Sequence, residues 1–132
     1  MSISINVYAY LGDAYLALRA KTYLVSQGIY KSKELSKQSI RFLSAQAQAD
    51  FIVYAQGQPW FDETMREYFL RGRNYKADTI PKNSSVITYR LATGCEAVFG
   101  YYYMIEDDKT LNQLWDYFRT YVQEKYETIS LR

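Results

Sequence analysis

The chain has 132 residues, a formal charge of +2 and 48% hydrophobic content, which fits one domain with a single sizeable core, spanning 1–132. No stretch approaches the roughly 18 consecutive apolar residues of a spanning helix, and no basic-then-apolar segment opens the chain, so a soluble, cytoplasmic protein without membrane association is expected. Histidine is absent and Cys95 is the only cysteine, which excludes an internal disulfide, Ser-His and Cys-His nucleophiles and the commonest zinc ligands.

Two prolines and six glycines leave little punctuation, and the periodicity predicts an all-α chain of long helices. The first runs from about Ile5 to Val25, with Leu16, Ala17, Ala20 and Leu24 continuing an apolar stripe and Gly28 as its stop. In its middle, Gly12 and Asp13 stand side by side within YAYLGDAYLAL. Glycine in a helix interior costs about 1 kcal/mol against alanine, and a carboxylate facing a core costs more unless it is compensated. Either Gly12 admits a neighbouring helix while Asp13 sits at the solvent edge, or something other than stability fixes the pair.

A second helix is expected from Ser32 as N-cap, through Leu35, Ile40, Phe42, Leu43 and Ala47 and on through SAQAQADFIVYAQG. Its alanine-rich body offers close packing and little chemistry. A third runs from about Trp60 to Leu70, burying Trp60, Phe61, Met65, Phe69 and Leu70. Arg71 to Ser85 then reads as a long loop with no apolar period. From Arg66 to Arg90 six basic residues (Arg66, Arg71, Arg73, Lys76, Lys82, Arg90) face two acids (Glu67, Asp78), a local balance of +4 within a chain of +2. A basic loop of that length suggests an anion-binding surface.

Ser84 or Ser85 caps a fourth helix, VITYRLATGCEAVFGYYYMI, in which Glu96 lies among Ala92, Cys95, Ala97, Val98 and Phe99, with Gly94 and Gly100 in the same run. The oddity around Asp13 is thus repeated. Asp107 or Asp108 starts a last helix, Lys109 to Glu127, amphipathic through Leu111, Leu114, Trp115, Phe118, Tyr121 and Val122. Two carboxylates on glycine-containing apolar helices form a sensible pair for a hard, oxygen-seeking cation such as Mg²⁺ or Mn²⁺. Such an ion acidifies water and polarises a phosphoryl oxygen, so together with the basic loop the pair points to phosphodiester hydrolysis. Whether residues 83 positions apart meet is left to the structure.

The motifs AYLGDAYLAL, SAQAQA, RGRNYK, PKN and YRLATGCEAVFGY occur in this order and resemble those of the ribonuclease III family. The likeness is narrowest to Mini-ribonuclease III, its short bacterial branch consisting of the catalytic domain alone. It covers roughly residues 8–104. The resemblance implies an all-α endonuclease domain, without a double-stranded-RNA-binding domain, that works as a homodimer on double-stranded RNA and matures the precursor of large-subunit ribosomal RNA. By matching position it gives Asp13 and Glu96 the catalytic, Mg²⁺-binding role. Arg71, Arg73, Asn74, Lys76, Lys82 and Asn83 would contact the RNA backbone, and a ribosomal protein is a further expected partner. The wider family adds carboxylates four residues before the signature Asp and three before the signature Glu. Those positions hold Ala9 and Thr93 here, so one ion is expected rather than two. The competing reading is a non-catalytic helical RNA-binding or ribosome-assembly protein with the same fold.

Overall fold

A computed structural model describes residues 2–77, 79–80 and 85–126. Six helices follow one another: α1 (Ile5–Ser26), α2 (Ser32–Leu43), α3 (Ala45–Gln56), α4 (Glu63–Asn74), α5 (Val86–Met104) and α6 (Asp108–Tyr126). Among the described residues there is no strand, and no helix is long and apolar enough to cross a membrane. α5 is the central element. It packs against α1, α3, α4 and α6, and Ala92, Gly94, Cys95, Ala97, Val98, Phe99, Gly100 and Tyr102 are all buried along it.

Glycines decide how closely α5 is approached. A Cβ on Gly12 would collide with the carbonyl oxygen of Glu96, and one on Gly100 would collide with that of Tyr8. The two helices therefore cross backbone to backbone, each glycine lying under the other helix. A second crossing repeats the device. A Cβ on Gly72 of α4 would sit 2.9 Å from the Gly94 Cα, and one on Gly94 2.8 Å from the Phe69 carbonyl oxygen. Away from the crossings the core is aromatic. Phe118 of α6, fully buried, meets Phe51 edge-on at 5.1 Å and Phe99 at 6.0 Å, the arrangement that ring quadrupoles favour.

Several predicted boundaries move. The first helix ends as expected, with Gly28 at φ +90° just past it. The second is two helices rather than one. Ser44 adopts an extended backbone (ψ 150°) and its hydroxyl accepts from the Ala47 N–H at 3.1 Å, capping α3. Lys31 occupies the N-cap of α2, with Ser32 its first helical residue, and Ile40 is exposed. α4 begins after Asp62, whose side chain accepts from the Met65 N–H at 2.9 Å, and it runs on through Asn74. Arg71–Asn74 is thus helix, not loop, because Gly72 continues the buried side after Phe69. A glycine contributes nothing to a hydrophobic period, which hides that turn. Ser85 caps α5, accepting from the Thr88 N–H, and Asp107 accepts from the Thr110 N–H at the start of α6.

Alanine at Gly12 or Gly100 should lower stability by at least about 2 kcal/mol, since overpacking against backbone outweighs the roughly 1 kcal/mol gained in helix propensity. Gly57→Ala, where the Cβ would meet only the Tyr54 carbonyl oxygen at 3.6 Å, should stay within about 1 kcal/mol of the parent. Urea unfolding followed by circular dichroism measures both; equal stability of all three variants would show that the crossing is not tight.

Candidate active site

The α1–α5 crossing sets the site. Gly12 lies directly on the backbone of Glu96, so Asp13, one residue further along α1, is delivered to the Glu96 side chain. The two carboxyls are in hydrogen-bonding contact. Asp13 is exposed and Glu96 partly buried, so the pair runs from solvent into the protein. Asn6, Ala9 and Tyr10 of α1, Thr93 and Tyr89 of α5, and Tyr75 at the end of α4 complete an open cleft of about 240 Å³ around them. Both structural expectations for Gly12 and Asp13 hold together: the glycine admits α5, and the aspartate sits at the edge of the contact.

Glu96 is pushed up to about 9, first by burial and then by Asp13 beside it, while the Gln48 amide opposes the shift. At neutral pH without a cation, Glu96 therefore keeps its proton and donates it to Asp13. A carboxyl pair in contact is the donor chemistry a hard divalent cation needs, because the ion supplies the positive charge that lets both groups ionise. Asp13 and Glu96 would hold Mg²⁺ or Mn²⁺. No group of three or more His, Cys, Asp or Glu able to hold a metal forms among the described residues. Ala9 and Thr93 both line this cleft, and the Thr93 hydroxyl is already used, donating to the Tyr89 carbonyl oxygen at 3.0 Å. Water and phosphate oxygens would complete the coordination.

A second cleft, of about 380 Å³, is lined by Arg73, Asn74, Ile87, Arg90 and Leu91. Asn74 and Arg90 are chain neighbours of Tyr75 and Tyr89, so the clefts share both bounding elements, the end of α4 and the start of α5. Of the predicted RNA contacts, Arg73 and Asn74 are brought here, hydrogen-bonded to each other at 3.2 Å. Arg71 and Lys76 line neither cleft. Arg71 pairs with Glu67 at 3.8 Å and lies over the Tyr68 ring at 4.9 Å; Lys76 is exposed. Lys82 and Asn83 lie outside the described residues. Arg90, Tyr75, Tyr89 and Gln48 were not singled out from sequence. Arg90 entered only a charge count, and the tyrosines were lost among fifteen. The larger cleft of about 560 Å³ bounded by Tyr54 and Asp116–Lys125 contains neither Asp13 nor Glu96.

A family model described as the ribonuclease III domain matches residues 6–107. Mini-ribonuclease 3 of Clostridium tetani is 39% identical over 113 residues, 82% of this chain and 71% of that one. The Mini-ribonuclease 3 of Staphylococcus aureus is 36% identical over 117 residues, 89% of this chain and 87% of that one. A crystal structure of a Fusobacterium nucleatum protein superimposes with a TM-score of 0.76 at 25% identity, covering 87% of this chain and 90% of that one.

A raised Glu96 makes the metal-free protein pH-sensitive. The folded state binds a proton that the unfolded chain releases at its ordinary value of 4.5, so this stability is full below 4.5 and is lost as pH climbs towards about 9. In EDTA the unfolding free energy should fall across that window, with a slope below the one-proton limit of about 1.4 kcal/mol per pH unit. Glu96→Gln should flatten the slope and be the more stable protein at pH 8. Denaturant titrations at several pH values test this; parallel profiles for parent and variant would refute the shared proton.

Proposed function

The chain belongs to the ribonuclease III family, in its Mini-ribonuclease III branch, and from that premise we propose that it is a Mg²⁺-dependent endoribonuclease that cleaves double-stranded RNA. The meeting of Asp13 and Glu96 in one cleft carries this reading. Asp13 and Glu96 would hold Mg²⁺ there, and the ion would supply the Lewis acidity that polarises a phosphoryl oxygen and lowers the pKa of water, in a protein without histidine. The chain's own residues do the rest. Asp13 and Glu96 hold the cation and fix the position of the reacting phosphate. Arg73 and Arg90 neutralise neighbouring phosphates, and Lys76 adds charge further out. Tyr75 and Tyr89 offer hydroxyls and ring edges at the boundary between the clefts. Such contacts suit an A-form duplex, which proteins recognise through shape, phosphates and 2′-hydroxyls. The precursor of large-subunit ribosomal RNA, presented by a ribosomal protein, is the proposed natural substrate, on the strength of the branch alone.

The active unit in this reading is a homodimer. Val7, Tyr10, Leu18 and Val25 leave an apolar stripe exposed along α1, Leu18 at 66% and Tyr10 at 76%. Lys21, Val25, Leu35, Ser36, Ser39 and Ile40 line a shallow groove beside it. Ala9 and Gly12, small residues that would also suit contact with a twin, are buried within the chain. The stripe therefore offers larger side chains. Tyr10 belongs both to it and to the carboxylate cleft, so a second copy seated there would border the site.

Asp13→Asn and Glu96→Gln should each reduce Mg²⁺-dependent cleavage of a defined RNA duplex by about 10²–10³-fold, the scale of a lost transition-state electrostatic contact. RNA binding and helical content should persist. Cleavage unchanged in both variants, or binding by the parent with no cleavage at any Mg²⁺ concentration, would replace the enzyme by a binding protein of the same fold. Leu18→Arg should shift sedimentation velocity from dimer to monomer and cost activity with it; a monomeric active parent would exclude the dimer.

A further inference from the structure

Gln48 is the most deeply buried polar residue among the described side chains, at 2% exposure. It lies one turn into α3, downstream of the Ser44 break that redirects the chain. Its Oε1 has no hydrogen-bond partner, and its Nε2 donates to the Leu43 carbonyl oxygen at a long 3.4 Å. Leaving such a group unpaired in an apolar interior costs about 1–3 kcal/mol. A leucine or methionine of similar volume would carry no such cost. Gln38 also has an unpaired Oε1, but its amide bonds Glu34 one turn away on the same helix, a local contact. Gln48 instead faces α5, against which α3 packs, and its amide acts on the Glu96 side chain in the sense that favours the carboxylate.

We propose that Gln48 is a positioning residue for the metal site, its buried amide holding the Glu96 carboxylate turned towards Asp13 and ready for a divalent cation. The inference rests on the metal-dependent reading above. The chemistry suits the residue type. An amide nitrogen has two protons, one for the Leu43 carbonyl oxygen that anchors the amide and one for Glu96. A lysine or arginine in that place would also orient the carboxylate, but its charge would repel the incoming dication. A neutral donor orients without competing. Gln48 is buried and does not line the cleft that holds Asp13 and Glu96, so it leaves that opening to the ion. Partners that orient metal-binding carboxylates in this way commonly contribute 10–100-fold in metal affinity.

Gln48→Met keeps the length and volume of the side chain and removes the amide. In EDTA the variant should melt within a few degrees of the parent, whereas its half-saturating Mn²⁺ concentration, read from the metal-induced rise in melting temperature, should increase roughly 10-fold. Cleavage should be recovered towards the parental rate at high Mg²⁺, with RNA affinity unchanged. Gln48→Asn, which keeps the amide but shortens its reach by one methylene, should show the same weakening and guards against a folding defect peculiar to methionine. A purely structural role predicts a lower melting temperature in EDTA with the Mn²⁺ midpoint unmoved; that result overturns the assignment while the metal site stands. If the parent itself shows no metal-induced rise, matching Asp13→Asn, the metal site and the role of Gln48 both fall.

Discussion

The contact on which this molecule turns is between two backbones. Where α1 crosses α5, neither Gly12 nor Gly100 has a side chain to hold the helices apart, and each sits against a carbonyl of the other helix. Ridge-into-groove packing leaves helix axes about 8–10 Å apart, depending on the side chains at the contact; with none there, backbone meets backbone. Residues flanking the crossing point are then forced together. Asp13 and Glu96 flank it, and that explains how carboxylates on different helices come into hydrogen-bonding contact. The second glycine crossing, Gly72 against Gly94, does for α4 what the first does for α1. It draws the end of α4, with Arg73 and Asn74, onto the first turns of α5. Acidic and basic clefts are adjacent because one central helix is approached twice at glycine.

This geometry works against stability at one place and for it at others. Pressing Glu96 into the protein beside another carboxylate is unfavourable for the charged form, which is why the group retains its proton so far above its ordinary value. The aromatic cluster around Phe118 and the capped starts of α3, α4, α5 and α6 offset that strain. A cation in the cleft would turn the same unfavourable juxtaposition into the strongest link between α1 and α5. On the proposed reading, binding and local stability are therefore one quantity measured two ways.

The sequence exposed the site because the site breaks local rules. Glycine and a carboxylate inside an apolar helix contradict both propensity and burial, and the contradiction appears twice, at Gly12–Asp13 and around Glu96. Conflicts between local preference and the global fold concentrate at functional positions. What escaped notice obeyed local rules. Ser44 is an ordinary residue in a helical stretch until its backbone is seen to be extended, so the α2–α3 break was invisible in an alanine-rich run. Gly72 erased the last turn of α4 from the hydrophobic pattern, which made a helical RGRN look like loop. Gln48, in a segment that periodicity makes merely structural, shows its polarity only once its burial and its neighbour on α5 are known. Arg90 is an exposed cation like any other until α4 closes a cleft beside it.

The two positions where the wider family has carboxylates sharpen the point. Ala9 and Thr93 occupy the wall of the cleft that holds Asp13 and Glu96, so the departure from the family pattern falls in the lining of the site itself. With Ala9 buried against α5 and the Thr93 hydroxyl committed to the Tyr89 carbonyl oxygen, the cleft can present two protein carboxylates and no more from these elements. A hard cation of octahedral habit would keep several coordination positions for water and substrate oxygen. Such a site binds its ion more weakly than a four-carboxylate cage, and its occupancy depends more on how each remaining ligand is held. The burden then falls on what stands behind Glu96, the place the proposal gives to the neutral amide of Gln48, anchored to the last carbonyl of α2.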